Sequence, residues 1–130
     1  MSSTISGHFC FPASAAHDRY VRWYSEAATR RGVDPNIGRR LPFLLRDAGV
    51  QGVSMHIVQP SGFEGEVKSL VPITMVAIAE SAVQAGLATE QEVAATVAEL
   101  ETFAERDDTI LGVPRIVQAW GRRSGTSRTA

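Results

Sequence analysis

Three histidines are the residues of this sequence best suited to acid–base chemistry. An imidazole titrates near neutral pH, so it can take up or release a proton during a reaction at pH 7. His56 lies in an alternating segment, His17 near the start of a predicted helix, and His8 two residues before Cys10 in a short apolar run. Each could instead be an ordinary hydrogen-bonded or exposed histidine. The spacing of His8, Cys10 and His17 matches no metal-ligand pattern, and a thiol–imidazole pair is the other open hypothesis.

Aromatic side chains are concentrated in the first quarter of the sequence. One interpretation is core packing. The other is a pocket for a flat or apolar molecule, with tyrosine hydroxyls as polar contacts. The residues concerned are Phe9, Phe11, Tyr20, Trp23 and Tyr24.

Helical periodicity and capping residues predict four helices that would position these side chains. The first begins near Ser14 and ends at Gly32, and Asp34-Pro35 opens the second, with a kink or a new start near Arg40. The third covers roughly residues 69–84, and the fourth runs from the capping residue Thr89 to about residue 105.

Two strands are predicted, near residues 53–59 and 115–120. The second carries apolar residues on both faces, which is typical of an inner strand. Their relative direction is open from local geometry, because two helices separate them. Residues 1–6 are expected to be a polar, fraying start and residues 124–130 a disordered tail, which leaves residues 1–123 as one domain.

Composition narrows the class of protein. The formal net charge of −1 argues against nucleic-acid binding, which usually shows as a basic excess. The apolar stretches are too short to span a bilayer, and no signal peptide is visible, so we expect a cytoplasmic protein without membrane contact. A single cysteine excludes a disulfide within the chain.

The third predicted helix is apolar on most of its sides, and a two-stranded sheet is marginal by itself. Both features indicate burial against something else. We therefore expect a homodimer or a complex with a different partner chain.

Several phrases, in this order and spacing, resemble one region of the class I S-adenosylmethionine-dependent methyltransferases that act on small molecules. They are GVDPNIGRRLP (32–42), AGV (48–50), VQP (58–60), GEVK (65–68), GL (86–87) and PRIVQAWGRR (114–123). The resemblance covers roughly residues 7–123 and places them after the fifth strand of the family's sheet. It implies an α+β fold of about four helices with a small antiparallel sheet, because the family's sixth and seventh strands pair antiparallel.

The resemblance implies a role in binding the methyl acceptor, a small apolar or aromatic molecule. In that family the segment after the fifth strand and the helix that follows it face the acceptor. The implied contacts are Phe9, Phe11, Tyr20, Trp23 and Tyr24, to which we add Arg39, which could bind a carboxylate, and Met55 on the predicted strand. The implied catalytic candidates are His56, His17 and Tyr20.

The sequence contains no strand–GxGxG–helix unit, the feature that binds the cofactor in such folds. We therefore expect no cofactor to be bound by this chain alone, and S-adenosylmethionine only if a partner chain completes the fold. Two alternatives stay open. One is a cofactor-independent enzyme of the cyclase or isomerase type with an apolar pocket in a homodimer. The other is a non-catalytic binding module or a truncated fragment.

Overall fold

The computed structural model describes residues 2–4 and 7–123, with side chains described from residue 7 to residue 123. Its helices are α1 (Ala15–Arg30), α2 (Leu41–Asp47), α3 (Leu70–Gln84) and α4 (Glu90–Glu105). Its strands are β1 (Ser2–Thr4), β2 (Phe9–Phe11), β3 (Gln51–Val58), β4 (Ser61–Gly62), β5 (Ile110–Gly112) and β6 (Arg115–Arg122). The predicted α+β class with four helices and small antiparallel sheets is confirmed. The predicted tail at 124–130 lies outside the described residues.

Capping residues fix the helix starts where the sequence predicts them. The hydroxyl of Ser14 accepts a hydrogen bond from the backbone N–H of His17, which sets the start of α1. Thr89 and Glu92 form a reciprocal capping box at the start of α4. These side chains satisfy backbone N–H groups that have no partner inside a helix.

No α-helix begins at Asp34-Pro35, while the predicted new helix start near Arg40 is confirmed. Asp34 accepts a hydrogen bond from the backbone N–H of Asn36 at 2.8 Å, so it forms a local turn and opens no α-helix. A 3-10 turn follows at Ile37–Arg40, and α2 begins only at Leu41. Pro42 explains the late start, because a proline is tolerated in the first turn of a helix and breaks its interior.

The main sheet has the order β1–β6–β3, and both pairings are antiparallel. Opposite β6, Met55 faces Ala119, and Ile57 faces Val117. The central place of β6 confirms the prediction from its two apolar faces. The expectation of a fraying start is wrong for residues 2–4, which pair with β6 along three residues. Their polar side chains gave no strand signal, and the pairing depends on β6 alone.

A second antiparallel sheet has the order β2–β5–β4. Its strands have only two or three residues, too few for an alternation pattern to be visible in the sequence. The apolar run at residues 9–11, open between strand and loop, is therefore a strand. Cys10 lies opposite Leu111, which is fully buried, while Phe9 and Phe11 flank Cys10 and are exposed.

Helices α1, α3 and α4 enclose the core. Its largest buried side chains come from all three helices and from β5: Tyr20, Trp23, Met75, Leu100 and Leu111. The core places the N-terminal half of α1 beside α3 and beneath β2. Within the described residues, no helix combines the length and apolar character needed to cross a membrane.

Candidate functional site

Two of the three predicted catalytic residues meet at the first turns of α1. His17 and Tyr20 are three positions apart, and Tyr24 follows after another four, so the three side chains share one helix face. His8 approaches this face from the segment before β2. We call His8, His17 and Tyr20 the His–Tyr cluster.

Ring contacts and one hydrogen bond hold the His–Tyr cluster together. The hydroxyl of Tyr20 and Nε2 of His8 share a hydrogen bond at 3.0 Å. The ring centroid of His8 lies 5.0 Å from that of Tyr20 and 5.8 Å from that of His17, in edge-to-face arrangements. The cluster thus combines two imidazoles and one phenol within contact distance.

His17 is the unusual member of the cluster. Only 3% of its surface is exposed, and its Nε2 is buried with no hydrogen-bond partner among the residues that the structure describes. Buried polar atoms in proteins nearly always have a partner, and leaving one without costs about 1–3 kcal/mol. Burial lowers the pKa of His17, and the nearby Asp18 opposes this only in part. The imidazole is therefore neutral at pH 7 and presents an unused nitrogen.

The pKa of Tyr20 is shifted upward, in the opposite direction to that of His17. Burial, followed by the neighbouring Tyr24, raises the pKa of its hydroxyl, and a hydrogen bond with Thr74 opposes the rise. Tyr20 therefore keeps its proton across the physiological range and acts in the cluster as a hydrogen-bonding hydroxyl. A general base in the His–Tyr cluster would therefore be an imidazole and not the phenolate of Tyr20.

Cys10 does not form the thiol–imidazole pair that its sequence position left open. Its Sγ donates a hydrogen bond to the carbonyl oxygen of Pro12 at 3.5 Å. Burial, and then the charge of Asp18, raise the pKa of the thiol, which disfavours the reactive thiolate. Across the described residues, no group of three or more potential metal ligands comes together.

A separate cleft lies further along α1, and none of His8, His17 and Tyr20 is among its lining residues. The ring of Tyr24 lies 6.2 Å from that of Tyr20 and forms part of the cleft wall. The cleft has a volume of about 320 Å³ and lies between α1, α3 and the segment at 33–37. Arg31, Asp34 and Ser81 add polar atoms to a lining that is mostly apolar. Its size suits a small flat molecule.

The other predicted site residues lie elsewhere. Trp23 is buried in the core, which supports its packing interpretation. Met55 and His56 are exposed on the edge strand β3, and Arg39 is exposed in the 3-10 turn. Phe9 and Phe11 are exposed on β2 next to His8 in sequence.

Thr74 is a site neighbour that no sequence signal indicated. It lies in α3, where apolar periodicity dominates, and it reaches Tyr20 only because α3 packs against α1. A comparison of the sequence with protein-family models and with curated proteins found no match.

Proposed function

We propose that this chain supplies the acceptor-binding half of a small-molecule methyltransferase, and that a partner chain supplies the S-adenosylmethionine site. The observation that carries the proposal is the buried, unpartnered Nε2 of His17 within the His–Tyr cluster. A buried imidazole without a partner is costly to folding, and a ligand hydroxyl at Nε2 would remove that cost.

Methylation of a hydroxyl requires that its proton leaves as the new oxygen–carbon bond forms. Neutral His17 can accept a hydrogen bond from the acceptor hydroxyl at Nε2 and then take up the proton. The methyl group would come from the sulfonium of S-adenosylmethionine held by the partner chain, whose sulfur–carbon bond would break and leave a neutral thioether. His17 becomes a cation in this step, and the carboxylate of Asp18 favours that charge.

The His8–Tyr20 pair positions the acceptor beside His17. Its hydrogen bond fixes the His8 ring edge-on to His17, so the ring cannot turn to satisfy Nε2 itself. The aromatic edges favour a flat acceptor, since aromatic rings pack edge to face with one another.

Two features of the fold support an enzyme in which this chain binds the acceptor and a partner chain binds the cofactor. The antiparallel pairing of β3 with β6 is the arrangement that the methyltransferase resemblance implies. Among the described strands, β1 pairs only with β6, and the 3-10 turn at Ile37–Arg40 packs against β1, so a partner strand at its other edge would have to fit beside that turn.

A cofactor-independent enzyme is the second candidate. The His–Tyr cluster holds a neutral imidazole that could act as a base and a phenol that could donate a hydrogen bond to a developing oxyanion, which are the groups that an isomerisation through an enolate needs. This candidate predicts turnover by the chain alone. The first predicts none.

The acceptor proposal can be tested with 2-naphthol and its methyl ether as probes. The hydroxyl of 2-naphthol can donate to Nε2 of His17, whereas the ether cannot. Isothermal titration should show that 2-naphthol binds more tightly than the ether by about tenfold, the value of one ordinary hydrogen bond. His17→Phe should abolish that difference while leaving the weaker ether affinity in place.

His56→Phe is the matched control, because His56 is exposed on β3 and should leave both affinities unchanged. Equal affinity for the two probes in the wild type would contradict an acceptor site at His17. Tight binding of S-adenosylmethionine to this chain alone would contradict the assignment of the cofactor site to a partner.

A further inference from the structure

Helix α3 presents an apolar face to solvent. Ile73 is 62% exposed and Val76 is 59% exposed, and they lie three positions apart on one side of the helix. The opposite side carries Val71 and Met75, which are fully buried against the core. Because α3 is apolar on most of its sides, the sequence predicts that it packs against a partner, and this exposed face is where a partner could bind.

One end of this face forms a cleft with α4. Its volume is about 330 Å³, and its apolar lining comes from Pro72, Ile73, Val76 and Ala104. The carboxylates of Glu101 and Glu105 stand on the α4 side of the cleft.

A second cleft of about 400 Å³ lies at the other end of the same two helices. Its apolar lining includes Ala79, Val83 and Val93, and its carboxylates are Glu80 and Glu90. At about 100° per residue, the lining residues of both clefts fall on a single side of α3 and a single side of α4. The two clefts are therefore the ends of one groove, about 22 Å long if it follows the fifteen residues of α3. We call it the α3–α4 groove.

Charge is unevenly distributed between this hairpin and the rest of the chain. Residues 70–105 hold six of the fourteen acidic residues and none of the thirteen basic ones, so their formal charge is −6 and that of the remainder is +5. In the described part of the chain, the four groove carboxylates form no ion pair. An occupant of the α3–α4 groove should therefore be apolar and flanked by cations.

Helix α2 of the same chain has these properties, because it exposes apolar side chains that are flanked by cations. Phe43 is 55% exposed, and Leu44 beside it is also exposed. Arg39 and Arg46 lie on either side of them and are exposed as well, with the guanidinium of Arg46 above the Phe43 ring. The 3-10 turn and α2 together span about 18 Å, close to the length of the groove.

We propose that the α3–α4 groove binds the Ile37–Asp47 segment of a second copy of this chain. Phe43 and Leu44 would fill the apolar floor, and the arginines would face the carboxylates. Exposed apolar side chains on a short helix and a complementary charged rim are features of recognition between a helix and an apolar groove.

Light scattering coupled to size-exclusion chromatography tests the proposal. The wild type should show masses above the 14.0 kDa of one chain, and the association should weaken as salt is raised. Glu101→Lys with Glu105→Lys should give a monomer, because the groove then repels the arginines. Arg39→Glu with Arg46→Glu should also give a monomer.

Mixing the two monomeric variants should restore association, because each variant then meets the opposite charge on both contacts. Glu26→Lys with Glu64→Lys is the matched control, because both residues are exposed outside the groove, and it should associate like the wild type. A monomeric wild type at all concentrations would overturn the proposal. Two variants that stay monomeric when mixed, although folded by circular dichroism, would overturn it as well. None of these outcomes depends on acceptor binding.

Discussion

At the scale of single residues, His17 couples the fold to pH. Its imidazole is neutral in the folded protein because burial lowers its pKa. In the unfolded chain a histidine titrates near pH 6.5. Between the folded and the unfolded pKa the unfolded chain binds more protons, so folding loses free energy there.

We therefore expect the free energy of unfolding to be fully retained above about pH 6.5 and to decrease as the pH falls toward the folded pKa of His17. One proton contributes a slope of at most about 1.4 kcal/mol per pH unit. Urea unfolding at several pH values measures the slope, and His17→Phe should reduce it. An equal slope in the wild type and in His17→Phe would show that His17 is not the group responsible.

Part of the candidate site is predictable at this scale. The spacing of His17, Tyr20 and Tyr24 indicates a shared helix face, and the structure brings them together. His8 joins them through the connection between β1 and β2, which no local pattern indicates. Whether Nε2 of His17 has a hydrogen-bond partner depends on how all the neighbouring side chains pack. The sequence alone does not show this packing.

At the scale of elements, the side chain of Gln59 links three of the segments that connect the strands. Its Nε2 donates hydrogen bonds to the carbonyl oxygen of Gly7, which follows β1, and to that of Val113, between β5 and β6. Gln59 itself follows β3. Together with the hydrogen bond that the backbone N–H of Val113 donates to the carbonyl oxygen of Pro60, this amide group joins the two sheets.

Replacing Gln59 by alanine should lower the free energy of unfolding by about 2 kcal/mol, since two hydrogen bonds of about 1 kcal/mol each are lost. Chemical denaturation measures the change. Gln91→Ala, on the exposed face of α4, should change stability by less than about 0.5 kcal/mol. A loss no larger for Gln59→Ala than for this control would mean that the connections hold without the amide.

How closely a helix or strand can be predicted from the sequence depends on its length. Helices α1, α3 and α4 each have about fifteen residues, enough for a periodic pattern and a capping residue, and their bounds are predicted closely. Strands β1, β4 and β5 have three residues or fewer. They exist because a partner strand provides the hydrogen bonds, so their positions depend on contacts distant in sequence.

At the scale of the whole molecule, the edge of the main sheet carries apolar surface. Met55 and Ile57 lie on the sheet face that they share with Val117, yet they are about half exposed, while Val117 is buried. An exposed apolar edge strand favours contact with other chains.

We expect Met55→Thr with Ile57→Thr to lower the free energy of unfolding by less than about 2 kcal/mol for the two changes together, because threonine suits a strand and only about half of each side chain is buried. Binding of a fluorescent apolar dye to the native protein should fall. The single substitution Val117→Thr should cost more, about 2 kcal/mol, because a hydroxyl replaces a buried methyl group. A double variant as unstable as Val117→Thr would show that this face is covered in the native protein.

The central position of β6 has a consequence for folding during synthesis. Both neighbours of β6 in the main sheet, β1 and β3, precede it in the chain, and β1 is separated from it by almost the whole sequence. While the ribosome still holds residues 115–122, β6 cannot pair with β3, and the apolar residues of β3 face solvent. The helical core can form earlier, because its contacts lie within residues 15–111. The order of the elements thus allows the helices to pack before the main sheet is complete, and β6 is the last of the described strands to leave the ribosome.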